Sequence, residues 1–156
     1  MPERVEGLGR LRPNPSTYFL PMPVYTHTDQ LYSSLRLLFG RIQRDPDATR
    51  LVADARMVIR LRCNAPVAEV VINGRLLPVK ISYGATALRP DLDVALSADA
   101  LHRILLAELP LRKAIGSGQM KVRGPILKTY ALESVLHSGQ ALYPQVLREL
   151  GLEDLR

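Results

Sequence analysis

Few side chains in this sequence could carry chemistry, and their spacing works against it. The histidines are His27, His102 and His137, and the single cysteine is Cys63. A structural or catalytic metal needs several ligands at short, recurrent spacings, and these residues form no such group. No metal and no cofactor is therefore expected. His102 falls on the polar side of its helix, and all three histidines read as surface or supporting residues. Cys63 closes an alternating strand and reads as a small buried or edge residue, not a reactive thiol. A serine nucleophile on an elbow needs Gly-x-Ser-x-Gly after a strand. Gly116-Ser117-Gly118 is one residue too tight and follows a helix, which makes it a helix end and turn. No Lys-Ser/Thr follows it, so it is not a phosphate loop. Asp91 and Asp93 stand close together without an opposing acidic cluster to complete an acid–base pair. The residue types support no enzyme.

The elements that would position these residues are rich in aliphatic side chains. Residues 1–27 hold five of the twelve prolines and form an extended arm rather than a domain. A helix begins at Thr28 or Asp29, with Leu31, Leu35, Leu38, Phe39 and Ile42 at helical spacing. Asp45-Pro46 breaks it, and a second short helix runs to Arg56. Met57–Arg62 alternates, with Met57, Ile59 and Leu61 on one face and Arg60 and Arg62 on the other. Glu69–Ile72 leads into Asn73-Gly74, a hairpin signal, and the returning strand places Leu77, Val79, Ile81 and Tyr83 together. Leu92, Val94 and Leu96 follow the Arg89-Pro90-Asp91 turn. Ser97 caps a helix with Leu101, Ile104 and Leu105 as its stripe, and Pro110 opens a short helix carrying Leu111, Ala114 and Ile115. Met120 and Val122 point inward from a last strand. An apolar helix from Ile126, with Leu127, Tyr130, Ala131, Leu132, Val135 and Leu136, is interrupted at Ser138-Gly139 and resumes to Leu150.

This order predicts an α+β fold. Its sheet is mixed, mainly antiparallel and five-stranded, with helices packed on one face. The boundaries are an arm over 1–27 and one domain over 28–156. A chain of 156 residues can bury a sufficient core without disulfides or metals. A single cysteine excludes an internal disulfide and points to a reducing, cytoplasmic compartment. Neither the start of the sequence nor Glu153-Asp154-Leu155-Arg156 carries a targeting signal. The net charge of +6 favours anionic partners. On the outer sheet face Arg60, Arg62, Lys121 and Arg123 are either a solvated surface or candidates for contact with lipid headgroups or an anionic membrane. Nucleic acid is disfavoured, because readers of single strands interleave aromatics with their basic residues and this face does not.

Three passages give the chain a family likeness. Arg89-Pro90-Asp91-Leu92-Asp93-Val94-Ala95-Leu96-Ser97-Ala98-Asp99-Ala100-Leu101, then Gly118-Gln119-Met120-Lys121-Val122-Arg123-Gly124, then the apolar helix from Ile126 resemble, in order and spacing, the sterol carrier protein type 2 domain, in a bacterial form. The resemblance implies an apolar tunnel between the sheet and the closing helices for a sterol, isoprenoid, fatty acid or acyl-CoA, and lipid carriage without catalysis. In that family the closing helix opens Gly-Asn/Asp and carries a ligand-facing Gln; here Pro125 and Glu133 occupy those places. The expected lining is Leu96, Leu101, Leu105, Ile115, Met120, Val122, Leu127, Tyr130, Glu133 and Leu136. The alternative is a non-catalytic interaction module, a homodimer through residues 1–27 with the tunnel filled.

Overall fold

A computed structural model describes residues 23–155. The helix over Thr28–Gln43 (α1) begins with His27 at its N-cap, and that side chain makes no capping bond. Neither Thr28 nor Asp29 caps it. The preceding turn is closed instead by Gln30 Oε1, which accepts from the Thr26 amide at 3.1 Å. Helix α2 spans Pro46–Asp54, with Asp45 accepting from the Asp47 amide and Pro46 in the first turn, where a missing N–H does no harm.

Strands β1 (Val58–Asn64), β2 (Ala68–Asn73), β3 (Lys80–Tyr83), β4 (Leu92–Ser97) and β5 (Met120–Arg123) make one sheet in the order β3-β2-β1-β4-β5. The β1–β4 pair is parallel and the other three are antiparallel, so the sheet is mixed and mainly antiparallel as the alternation predicts. Ile59, Leu61, Val70, Ile72, Leu92, Val94, Leu96 and Met120 are buried in one core cluster. The β2–β3 hairpin pairs Asn73 with Lys80. This register leaves Leu77 in the loop and exposed, contrary to the strand face expected for it. Gly124 has φ of +139°, and a Cβ there would meet the Asp91 carbonyl at 2.5 Å, so glycine lets β5 leave the sheet tightly against the start of β4.

Between β4 and β5 lie α3 (Ala98–Leu105) and α4 (Leu111–Gly116); Ser97 caps α3 by accepting from the Ala100 amide at 3.0 Å. After a 3₁₀ turn over Ile126–Lys128 comes α5, Thr129–Glu149, a single helix of 21 residues. The interruption expected at Ser138-Gly139 does not occur. Gly139 is buried, and a Cβ there would lie 3.0 Å from Leu105 and 3.5 Å from Ile42. Its bare backbone is what lets α5 lie close to α1 and α3, and packing outweighs the weak helix preference of glycine. Pro144 also lies inside this helix, held by buried Tyr143, Val146 and Leu147 around it. Helices α1, α2 and α3 touch the sheet, and α5 packs on those three helices. The arm predicted over 1–27 lies largely outside the described residues. Of its last residues, Val24 donates its amide to Asp99 Oδ1 at 2.9 Å, and Tyr25 joins the core.

Candidate functional site

The N-terminal half of α5 forms one wall of a groove of about 530 Å³, open to solvent. Tyr130, Glu133, Ser134, His137 and Gln140 recur along it at helical spacing, so they share a face. Leu51 of α2, Ile104 of α3, Leu111 of α4 and Leu136 supply its aliphatic sides. Ile104 and Leu136 belong to the core cluster as well, so the floor of the groove is the outer surface of the core. Gln140 is oriented by donating to the Ile104 carbonyl at 3.0 Å. The groove therefore offers aliphatic walls with hydrogen-bonding groups along one side. That is the general character of a site for an amphipathic small molecule, and its volume is in the usual range.

Of the lining residues expected from sequence, Tyr130, Glu133 and Leu136 meet in this groove. Leu96, Leu101, Leu105 and Met120 are buried in the core, and Val122 packs partly buried against it. Ile115 and Leu127 are exposed and are not among the groove residues. This groove thus lies among the helices, because α1 and α3 stand between much of α5 and the sheet. Leu51, Ile104, Leu111, Ser134, His137 and Gln140 were not assigned to a site from sequence. The signal for Ser134 and His137 was present in their spacing from Tyr130, and that for Gln140 is lost once the helix is broken at Gly139.

On the opposite face of the sheet the four basic candidates divide into two pairs. Arg60 grips Asp93 through Nε and an amino nitrogen at 3.2 and 2.7 Å, and Arg62 contacts the same carboxylate at 3.1 and 3.2 Å. The hydrogen bonds from Arg60 outweigh burial and hold the Asp93 carboxyl below the usual carboxylate range. Lys121 and Arg123 are exposed on β5. Asp91 is also held low: burial pushes it up, but the Val58 amide, Arg75 and Lys128 together outweigh that effect. Arg75 approaches it at 3.1 Å and Lys128 at 3.9 Å, tying the 3₁₀ turn to the start of β4.

The C-terminal half of α5 is closed. Tyr143 is 1% exposed; its hydroxyl is 2.6 Å from that of Tyr25 and 2.7 Å from His102 Nδ1. His102 is itself buried, which corrects its surface placement: the elements over its helix cover the polar side too. Burial pushes both tyrosine hydroxyls upward, so they stay protonated and serve as hydrogen-bonding groups. Cys63 is buried, and burial raises its thiol to about 12, leaving it inert. Among the described residues no three or more His, Cys, Asp or Glu are grouped to hold a metal ion. No helix among them is long and apolar enough to cross a membrane.

No family model matches the sequence, and no curated protein matches it. Solved structures do. The sterol carrier protein domain 2 of Helicoverpa armigera aligns with a TM-score of 0.57 at 18% identity, over 72% of this chain and 89% of that one. Sterol carrier protein 2 from Yarrowia lipolytica, in its apo form, aligns with a TM-score of 0.54 at 17% identity, over 78% and 97%. Palmitated sterol carrier protein 2-like 2 from Aedes aegypti gives 0.51 at 20% identity, over 67% and 92%.

Proposed function

We propose that this chain, which has the fold of sterol carrier protein 2 domains, binds an amphipathic lipid without transforming it, and that the groove along α5 receives the tail. The observation that carries the reading is the groove itself: about 530 Å³ of open space, floored by Ile104 and Leu136 and edged by the polar row from Tyr130 to Gln140. A fatty acid is the first ligand to test, since a neighbour of this fold is a palmitated protein. Burying a methylene is worth about 0.8 kcal/mol, so a sixteen-carbon tail gains roughly 12 kcal/mol on leaving water. A bilayer offers almost the same gain, so transfer between membrane and groove is nearly neutral and the protein can load and unload. Selectivity then rests on the head of the ligand. In this reading Ser134 and His137 donate to a carboxylate head and Glu133 accepts from a hydroxyl head, and Lys121 and Arg123 remain open to anionic headgroups. Leu96, Leu101, Leu105, Met120 and Val122 lie behind the floor and would line a deeper tunnel only if Ile104 and Leu136 moved aside.

The test is displacement of a fluorescent fatty acid, with native mass spectrometry of the purified chain. Ser134→Trp fills the groove from a half-buried position without removing a core contact. Binding at least about tenfold weaker is expected, the loss of a few buried methylenes. A wild-type chain that takes up neither fatty acid nor fatty alcohol, or a variant that binds as well as wild type, overturns the reading.

A further inference from the structure

Just before the groove, the chain exposes large apolar side chains in immediate succession. Ile126 is 80% exposed, Leu127 78% and Tyr130 59%. Single exposed aliphatics are ordinary on a soluble protein, but neighbouring ones on one short turn form a patch that solvent alone does not explain. The backbone that carries them is ordered: the Lys128 amide donates to the Pro125 carbonyl at 3.0 Å, and the Thr129 hydroxyl donates to the Ile126 carbonyl at 2.6 Å. Leu127 and Tyr130 are three residues apart and Ile126 and Tyr130 four, spacings that bring side chains to one side of a helical turn. At its base Arg75 and Lys128 flank the Asp91 carboxylate, and Arg123 stands exposed at the end of β5, three residues before Ile126, in a chain whose net charge is +6.

From these observations we infer that the turn over 126–130 is a docking tip for an anionic phospholipid bilayer. Ile126 and Leu127 enter the interface, the Tyr130 ring lies at headgroup level, and Arg123, Lys128 and Arg75 meet the lipid phosphates. A protein partner fits less well, because three side chains on one turn fall far short of the roughly 800 Å² per partner of a stable interface. The basic outer sheet face fits less well: beside Arg62 it has Val67 as an exposed apolar side chain, whereas the tip presents Ile126, Leu127 and Tyr130 together. Tyr130 belongs to both tip and groove, so docking turns the groove mouth to the membrane. That consequence rests on the groove being the lipid site; the docking itself does not.

The sequence has no tryptophan, so one introduced residue is the sole indole reporter. In the full chain, Ile126→Trp is expected to shift its emission to the blue on addition of phosphatidylglycerol–phosphatidylcholine vesicles, and not with phosphatidylcholine alone. Val67→Trp, 66% exposed in the β1–β2 turn at the other end of the strands, is expected to show no shift. Ile126→Glu should lower cosedimentation with the anionic vesicles about tenfold or more, and Arg123→Ala by roughly fivefold, about 1 kcal/mol per cation at the surface. Fatty acid uptake by Ile126→Glu, measured without vesicles, should match wild type, so failure of the groove and failure of the tip are separate results. The proposal is overturned by equal shifts at both tryptophans, by equal binding to neutral vesicles, or by wild-type cosedimentation of Ile126→Glu. It is also overturned if sedimentation velocity shows wild type as a dimer and Ile126→Glu as a monomer, which would make the tip an interface between copies.

Discussion

The two halves of α5 have similar aliphatic content and opposite fates. From Tyr143 to Leu147 the buried side chains are 0–1% exposed, and the Tyr143 hydroxyl is satisfied by Tyr25 and His102. From Tyr130 to Gln140 one face of the same helix borders open space, with hydroxyl, carboxylate, imidazole and amide groups along it. The difference is coverage. The Tyr25 segment and His102 of α3 close over the Tyr143 ring, while the N-terminal half buries Leu132, Val135 and Leu136 and leaves its face from Tyr130 to Gln140 beside open space. Polar groups in the closed half must find partners within the protein, because burying one without a partner is unfavourable. In the open half Gln140 donates to the Ile104 carbonyl, while Glu133, Ser134 and His137 border space that water or a ligand can fill.

The largest test of this contrast is Tyr143→Ala. Loss of a fully buried ring, together with the hydroxyl that serves Tyr25 and His102, should destabilise the chain by about 3–5 kcal/mol in urea unfolding. Tyr143→Phe keeps the ring and should lose about 1–3 kcal/mol. A change below measurement in both would mean that the closed half is not closed.

Acidification sharpens the other end. Asp91 has a folded-state carboxyl held below its unfolded value, so its contribution is present above the ordinary carboxylate pKa and fades as pH falls through the folded one. The urea midpoint should fall below about pH 4. Asp91→Asn should begin lower at pH 7 and lose less on acidification, and an unchanged pH slope would remove Asp91 from the tether at the turn. The smallest effect is expected for Tyr130→Ala, within about 0.5 kcal/mol of wild type, because the ring is largely in solvent. Substantial destabilisation there would erase the distinction between the halves.

Much of the fold was legible because it is written in local periodicity. Alternation at Ile59 and Leu61, then at Leu92, Val94 and Leu96, marks strands with one buried face, and Ser97 marks a helix start whatever lies beyond it. The site was legible only in part. Tyr130, Glu133 and Leu136 could be named from the closing helix and the family likeness. Leu51, Ile104 and Leu111 come from three other helices, and nothing local in their segments says that they face α5. His102 misled for the same reason, since a polar side chain on the polar side of a helix looks exposed until another element covers it. Gly139 misled because its bare backbone, a helix breaker by propensity, serves as the contact that lets helices approach.

The amino-acid order alone determined which segments are strands and helices, which faces are aliphatic, and that no cluster of reactive side chains recurs at a useful spacing. Tertiary structure decided which aliphatic faces are sealed and which remain open. It made Tyr143 core and Tyr130 rim, spent Arg60 and Arg62 on Asp93, and left Ile126 and Leu127 in solvent. The physical reason is that periodicity is a property of a few consecutive residues, whereas burial depends on every element that arrives from elsewhere in the chain.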